Sequence, residues 1–225
     1  MNPILSCEAL CCHRANWNET SAASIQDITA SFDSGTMCAF DGPDRPGKTL
    51  LLSVLSLLER ADSGSLCLDG QSVGDLEDED LRWCRNRAFG FLFENPCLLP
   101  SFSVAENVAM PLFRICDINA ALAHNRTIEV LEFCEIAHLK NQLAGQLKPS
   151  AQRRAAFARA LVHRPKILAA ISGEGNGELF ELAARTAKEF GLCVLWATGA
   201  AEVASGKAQR RIQIRDGRIT SDLRL

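Results

Sequence analysis

The sequence predicts an α/β fold in which a parallel sheet carries a phosphate-binding loop. Residues Gly42–Thr49 fit the pattern G-x-x-x-x-G-K followed by Ser or Thr, with the required residue at each fixed position. The apolar run Met37–Phe40 before the loop suits a buried strand, and Leu50–Leu58 after it suits a buried helix. Later strands alternate with helices, an order that is typical of a parallel sheet.

The segments on either side of the loop predict a second, antiparallel sheet near the start of the chain. Ile25–Phe32 alternates apolar and polar residues before the turn at Asp33-Ser34-Gly35. Ser65–Leu68 and the Asp69-Gly70 turn predict a hairpin that returns to this sheet. The remaining predicted elements are helices at Leu76–Trp83, Glu106–Phe113, Ala120–Cys134, Ala151–Val162 and Glu178–Phe190, strands at Ala88–Phe93, Ile167–Ile171 and Leu192–Ala197, and a terminal hairpin of Arg211–Ile214 and Arg218–Thr220.

Composition limits the class of protein. With 225 residues, 47% of them hydrophobic, the chain is long enough to bury a sizeable core. A net charge of −3 with mixed signs gives no general basic surface, so nucleic acid is not an expected partner. Met1–Cys12 lacks a charged start and a long apolar segment, so no signal peptide is expected, and the longest apolar run is too short to span a bilayer. We expect a soluble or peripheral protein.

The ten cysteines are scattered without paired spacing, which favours reduced thiols over disulfides. Cys7, Cys11, Cys12 and His13 are an alternative set of zinc ligands. However, adjacent cysteines on a strand point to opposite faces, and small buried hydrophobic residues are the favoured interpretation. No metal is expected.

The loop has both favourable and unfavourable residues for phosphate. In a working loop of this pattern, which here includes Gly42, Pro43 and Gly47, the backbone N–H groups would face phosphate. Lys48 would neutralise its charge, and Thr49 would ligate Mg²⁺. The alternative is that the motif is a chance match in an ordinary loop. Three intervening residues weaken this cradle. Pro46 removes a donor, Arg45 stands where glycine would allow close approach, and Asp44 adds a negative charge that Arg45 partly neutralises.

Four further segments carry a family resemblance across nearly the whole chain. They are Met1-Asn2 with Ile4-Leu5, Leu98–Pro100 followed by Glu106–Leu112, Ala158–Leu161 with Pro165-Lys166, and Arg215–Arg218. With these residues the chain resembles ATP-binding-cassette (ABC) ATPases. Within them it is most similar to the ATPase subunits of lipoprotein-releasing transporters, the LolD-like family, and also to MacB-like and FtsE-like ATPases. The resemblance implies one nucleotide-binding domain with a P-loop NTPase (RecA-like) core, an N-terminal antiparallel β-subdomain and a helical subdomain insertion. The core and β-subdomain would occupy about 1–86 and 166–225, and the helical subdomain and coupling region about 87–165.

Several positions depart from the residues that the family uses for hydrolysis. Where the family stacks an aromatic side chain on adenine, this chain has Arg14, with Trp17 nearby as a substitute. Glu94 replaces the glutamine that senses Mg²⁺ and the attacking water, and Gly199 replaces the histidine that contacts the γ-phosphate. The resemblance therefore implies that ATP and Mg²⁺ bind weakly or not at all.

The signature segment is also changed. The family's Leu-Ser-Gly-Gly-Gln corresponds to Leu147 followed by Lys148, Pro149, Ser150 and Ala151. Proline has no N–H to offer a γ-phosphate, and a lysine cannot reproduce the serine's geometry, although it attracts phosphate as a point charge.

The strand that should end in two acidic residues ends instead in Ile171 and Ser172. A hard divalent cation needs anionic oxygen, which isoleucine lacks, and serine is a poor general base. Glu174 is either a displaced catalytic acid or, as we favour, a solvated loop residue. No catalytic residue is predicted, and both halves of the composite site that face-to-face dimers form in this family are defective.

The segment that contacts membrane subunits in the family is retained. Its residues here are Leu98, Leu99, Pro100, Glu106 and Asn107, and plain loop–helix packing is the alternative explanation for them. The implied partners are permease-type integral membrane subunits, with a second copy or another ATPase as dimer partner, at the inner face of the cytoplasmic membrane. These features favour a non-hydrolysing scaffold or regulatory pseudo-ATPase; an active ATPase for lipoprotein or lipid export and a non-cleaving nucleotide sensor are the alternatives.

Overall fold

The structure is a computed structural model that describes residues 3–15, 22–171, 177–198 and 206–225. These residues form two β-sheets and six α-helices. The elements in chain order are β1 (Leu5–Arg14), β2 (Ala23–Phe32), β3 (Met37–Asp41), α1 (Arg45–Leu55), β4 (Ser63–Leu68), β5 (Gln71–Ser72), α2 (Asp78–Ala88), β6 (Phe89–Leu92), α3 (Val104–Ile115), α4 (Ala120–Phe133), α5 (Pro149–Leu161), β7 (Ile167–Ile171), α6 (Gly177–Phe190), β8 (Cys193–Ala197), β9 (Arg210–Arg215) and β10 (Arg218–Arg224). Short 3-10 turns at Ala137–Leu139 and Ala144–Gln146 separate α4 from α5.

The smaller sheet is antiparallel, with strand order β2-β1-β4-β5. The predicted hairpin is confirmed, because β4 pairs with β1 and turns into β5 through Asp69 and Gly70. Both turn residues have positive φ, 52° and 77°, which is the conformation that a tight two-residue hairpin requires. The N-terminal antiparallel β-subdomain is therefore present.

The larger sheet has the order β10-β9-β3-β8-β7-β6. Its five strands from β9 to β6 are parallel, and β10 pairs antiparallel with β9. The predicted terminal hairpin is confirmed, because β9 and β10 pair antiparallel, and β9 also pairs with β3. One expectation is corrected, because β6 belongs to this core sheet although the predicted helical subdomain began at about residue 87.

Strand β3 is buried on both faces. Cys38 and Phe40 contact the core shared by α1 and the smaller sheet, whereas Met37 and Ala39 contact the core shared by the helical lobe and α6. Alternate side chains of a strand point to opposite faces, so the two packed layers hold β3 from both sides. The loop that follows β3 therefore starts from a fixed position.

The cysteine and histidine residues of β1 point in different directions. Cys7 and Cys12 are buried, Cys11 is half-buried, and His13 is exposed. Within the described residues, no group of three or more His, Cys, Asp or Glu side chains is placed to hold a metal ion. All ten cysteines are free thiols.

Candidate functional site

The predicted strand–loop–helix order is present, because the motif Gly42–Thr49 begins directly after β3 and runs into the first turns of α1. The apolar run Leu50–Leu58 does lie in a buried helix as far as Leu55, but the helix begins earlier than the run and ends before it does. It begins at Arg45 and ends at Leu55, because the Asp44 side chain caps its start and Leu57 has a positive φ of 61°. Pro46 fits in this first turn, where a missing N–H costs no helical hydrogen bond. More than half of the phosphate-binding motif is thus helical.

The backbone N–H groups of this first turn already have acceptors within the loop. Asp44 Oδ1 accepts a hydrogen bond from the Gly47 N–H at 2.8 Å, and Asp44 O accepts from the Lys48 N–H at 3.0 Å. The Arg45 N–H donates to Pro43 O at 3.0 Å, and the remaining position is the proline. A phosphate cradle uses such N–H groups as free donors. From residue 45 to 48, each backbone N–H group either donates to an acceptor of the chain itself or, at Pro46, does not exist.

The Asp44 carboxylate places a negative charge at the N-terminus of α1, where the helix dipole stabilises anions. Its second oxygen, Oδ2, accepts from the Gly217 N–H at 2.8 Å, which connects the loop to the β9–β10 turn. A Cβ on Gly47 would lie 2.2 Å from Asp44 Oδ2. Glycine is therefore needed at position 47 to accommodate this carboxylate, whether or not any phosphate binds.

Arg45 does not neutralise Asp44, contrary to our expectation. Its Nη2 forms an ion pair with Glu94 Oε2 at 2.8 Å, and both side chains are mostly exposed. An exposed pair of this kind contributes at most about 1 kcal/mol. It connects the P-loop to Glu94, the residue that the family resemblance aligns with the Mg²⁺-sensing glutamine.

Lys48 and Gly42 lie at the base of the loop. Lys48 is buried, and its Nζ donates to Gly42 O at 2.7 Å and to Thr198 O at 2.9 Å. Gly42 has a φ of 106°, and a Cβ there would lie 2.2 Å from Ile214 O, so only glycine fits. Thr49 is half-buried in the first turns of the helix. Lys48 thus joins the loop to the end of β8.

An ion pair between buried Asp41 and half-buried Arg211 beneath the loop was not predicted. Asp41, the last residue of β3, is buried and accepts from Nε of Arg211 at 3.0 Å and from Nη2 of the same residue. This hydrogen bonding raises the pKa of Arg211. Asp41 Oδ1 has no hydrogen-bond partner among the described residues. The only hint of this ion pair in the sequence was an aspartate directly after the apolar run Met37–Phe40, and its partner lies 170 residues away.

Arg14 is engaged by acidic residues near the end of α1. Its guanidinium contacts Glu59 at 3.2 Å, Asp62 Oδ1 at 2.9 Å and the carbonyl of Arg60 at 2.8 Å. The His13 N–H and the Arg14 guanidinium lower the pKa of Asp62. These contacts hold Arg14 against the segment that follows α1. Trp17, its proposed substitute in stacking, lies outside the described residues.

The signature segment forms the start of α5. Lys148 is the N-cap residue and makes no side-chain capping bond, and Pro149 is the first residue of the helix. Ser150 is exposed and Ala151 half-buried. The Gln152 side chain turns back to donate to Ala144 O at 3.2 Å and Leu147 O at 3.3 Å. The N-terminus of this helix lacks both a side-chain cap and the N–H of its first residue.

Ile171 ends β7, where its backbone is paired with Ala197 of β8. Ser172, Glu174 and Gly199 lie outside the described residues, so their assigned roles remain predictions.

The residues predicted to contact a membrane subunit divide into exposed and structural ones. Leu99 and Pro100 are exposed, and Leu98 is half-buried. Asn107 is fully buried, which corrects the expectation that it contacts a partner directly. Its Oδ1 accepts from the Leu99 N–H at 2.8 Å, and its Nδ2 donates to Leu99 O, Phe102 O and Ser103 O at 3.1, 3.3 and 3.0 Å.

Glu106 has a structural role at the start of α3. It forms a capping box with Ser103, whose N–H and hydroxyl both lie 2.7 Å from Glu106 Oε2. These bonds lower the pKa of Glu106. Arg159, which we had not predicted, donates from α5 to Pro96 O and Cys97 O, both at 2.7 Å. Together these contacts anchor the loop before α3 to both α3 and α5.

No helix within the described ranges is long and apolar enough to cross a membrane.

Comparisons with known proteins agree on one family. The model of the ABC transporter family matches residues 25–170. The lipoprotein-releasing system ATP-binding protein LolD of Bordetella pertussis is 34% identical over 88% of this chain and 87% of its own length. The pyoverdine export ATP-binding/permease protein PvdT of Pseudomonas entomophila is 33% identical over 88% of this chain, but over only 31% of its own length.

Solved cassette structures have the same fold. The dimeric bacterial ABC transporter cassette MJ0796 superposes with a TM-score of 0.83 at 23% identity, covering 98% of both chains. CbiO1 of Clostridium perfringens, part of the CbiONQ transporter complex, gives a TM-score of 0.83 at 23% identity over 99% of this chain and 88% of its own. The chain therefore belongs to the ABC transporter family and is a LolD-like ATP-binding-cassette subunit.

Proposed function

We propose that this chain is a degenerate subunit of a lipoprotein-releasing-type ABC transporter complex, and that it docks on integral membrane subunits without hydrolysing ATP. The observation that carries the proposal is the position of Asp44. Its carboxylate accepts the Gly47 N–H and lies at the N-terminus of α1, so a nucleotide phosphate would compete with an anion that belongs to the chain. We expect ATP and Mg²⁺ to bind weakly or not at all.

The other half of the site supports this function. The signature helix begins with Pro149, which has no N–H to donate, and β7 ends in Ile171, which offers no anionic oxygen to Mg²⁺. A homodimer that pairs each P-loop with a facing signature segment would therefore contain no complete site. Pairing with an intact ATPase would leave two impaired sites.

The retained surface supports a scaffold or regulatory role. Leu99, Pro100 and Phe102 are exposed on a loop that buried Asn107 and the Ser103–Glu106 capping box hold in place. A rigid, apolar loop is suited to pack against a permease-type subunit, because little conformational entropy is lost when it binds. With such a partner, we expect the chain at the inner face of the cytoplasmic membrane.

Hydrolysis by the full chain, alone and with its co-expressed membrane subunit, is the direct test. We expect phosphate release at background, and Lys48→Ala should leave it there. Hydrolysis above background that Lys48→Ala abolishes would establish a working ATPase and overturn the proposal.

Calorimetric titration with Mg-ATP separates the scaffold from a nucleotide sensor. We expect neither binding heat nor a thermal shift at millimolar nucleotide. Saturable binding of Mg-ATP without hydrolysis would show that the chain is a nucleotide sensor and would overturn the scaffold function.

Docking is tested with two leucines of similar exposure. Leu99 on the loop and Leu122 on α4 are 42% and 41% exposed. Leu99→Asp should reduce co-purification with the membrane subunit, whereas Leu122→Asp should not. Equal behaviour of the two variants would remove this loop from the interface.

A further inference from the structure

A cavity of about 400 Å³ lies between α4, the C-terminal end of α5 and the C-terminal end of α6. Val130, Leu161, Val162, Phe190 and Leu192 form its apolar walls. All of them except Phe190, which is 44% exposed, are buried. The volume lies within the range of about 300–1,000 Å³ that is usual for small-molecule sites.

The cavity is remote from the P-loop. Pro165 and Leu192 line it and lie just before the amino ends of β7 and β8, whereas the P-loop follows the carboxyl end of β3. These three strands are parallel, so the two sites lie at opposite edges of the sheet. A ligand of the cavity would therefore not occupy the nucleotide site.

Arg126 provides a positive charge that has no partner in this cavity. The residue is half-buried and lines the cavity, and its Nε is buried without a hydrogen-bond partner. None of its guanidinium nitrogens forms an ion pair with a carboxylate in the described ranges. An anionic ligand of the cavity would supply the ion pair that no carboxylate of the described residues gives this guanidinium.

The other two charged residues of the cavity neutralise each other. Arg164 Nη2 and Glu129 Oε2 form an ion pair at 3.1 Å, and both side chains are largely exposed. The formal charge of the lining is therefore +1, which comes from Arg126. A monoanion matches this charge, whereas a dianion would leave one negative charge unpaired among apolar walls.

We propose that this cavity binds a single-chain acyl carboxylate. The Arg126 guanidinium would hold the carboxylate by charge-assisted hydrogen bonds, and the acyl chain would lie along Val130, Leu161 and Leu192. The proposal does not depend on whether the chain hydrolyses ATP.

Calorimetric titration of the full chain with decanoate, decanol and decyltrimethylammonium tests the charge. We expect decanoate to bind at one site per chain and the neutral and cationic analogues to bind at least roughly tenfold more weakly, since one hydrogen-bonded charge pair accounts for such a difference. Equal binding of decanoate and decanol, or no decanoate binding up to millimolar concentration, would overturn the proposal. Decyl phosphate that binds more tightly than decanoate would overturn the assignment to carboxylates.

Two arginine variants test the residue. Arg126→Gln should weaken decanoate binding by at least roughly tenfold while decanol binding is unchanged. Arg114→Gln is the matched control, because Arg114 is an exposed helical arginine without an ion pair or hydrogen bond in the described ranges. Equal decanoate affinity in Arg126→Gln and the control would show that the guanidinium does not bind the carboxylate.

A third variant tests the walls without changing charge. Val130→Phe should fill part of the cavity and weaken decanoate binding, while its thermal unfolding midpoint shows whether the chain remains folded. A folded Val130→Phe variant that binds decanoate like the wild type would place the ligand elsewhere.

Discussion

The Asp44 carboxylate lies 2.8 Å from the Gly47 backbone nitrogen, and this hydrogen bond caps the helix that the P-loop enters. A helix N-terminus stabilises nearby anions, both acidic side chains and bound phosphate. In this chain the anion is a side chain, and Gly217 holds it from the other side. The P-loop spacing is thus preserved in a segment whose donors already serve folding.

Removal of the Asp44 side chain should lower stability. Asp44→Ala loses the helix cap and the acceptor for the Gly217 N–H, so we expect the free energy of unfolding to fall by about 1–2 kcal/mol. Urea denaturation measures this change. Asp75→Ala is the control, because Asp75 is exposed and makes no hydrogen bond or ion pair in the described residues, and it should be neutral. Unchanged stability of Asp44→Ala would mean that the carboxylate does not cap the helix in solution.

Asn107→Ala should loosen the exposed loop that precedes α3. The substitution leaves the Leu99 N–H without its acceptor and removes one of two donors from each of three carbonyl groups, so we expect a loss of about 2 kcal/mol in the free energy of unfolding. Hydrogen exchange at the Leu99 amide should accelerate at the same time. Asn86→Ala, at an exposed position of α2, should change neither quantity. Slow exchange at Leu99 in Asn107→Ala would show that other contacts hold the loop.

Local patterns predicted more of this molecule than long-range contacts did. The strand before the P-loop was found because its apolar run is continuous, and the helix start at Arg45 could have been found, since Asp44 and Pro46 are a cap residue and a first-turn proline. The pairing of Asp41 with Arg211 could not have been predicted from the sequence, because it depends on the alignment of β3 with β9. Single-sequence periodicity does not specify which parallel strands are neighbours.

The ion pair of Asp222 with Arg210 should make stability depend on pH in the acidic range. The Arg210 guanidinium contacts both carboxylate oxygens, at 2.8 and 2.6 Å, and lowers the pKa of Asp222 below its ordinary value of 3.8. The folded-state pKa is therefore below the unfolded one, so the stabilisation is complete above the unfolded value and is lost as pH falls through the folded value.

Asp222→Asn tests this dependence. At neutral pH we expect a loss of about 1 kcal/mol, because the carboxylate is partly exposed and its ion pair is screened. Urea denaturation of the wild type and the variant from pH 7 to about pH 2 should show the difference shrinking below about pH 4. Asp75→Asn should give no such trend, and a difference for Asp222→Asn that is constant with pH would exclude the ion pair as its source.

Thiol reactivity should separate the exposed cysteine from the buried ones. Burial raises the pKa of Cys7 to about 11 and the pKa of both Cys134 and Cys193 to about 12. Only a thiolate attacks a disulfide reagent, so at pH 8 these three thiols should stay unmodified in the native chain, whereas exposed Cys97 should react fast. Ellman's reagent should count all ten thiols in denaturant, and Cys97→Ser should lack the fast native phase. Fast native modification of Cys134 or Cys193, located by mass spectrometry, would contradict the packing of the two cores, because a reagent reaches a buried thiol only when the surrounding structure opens.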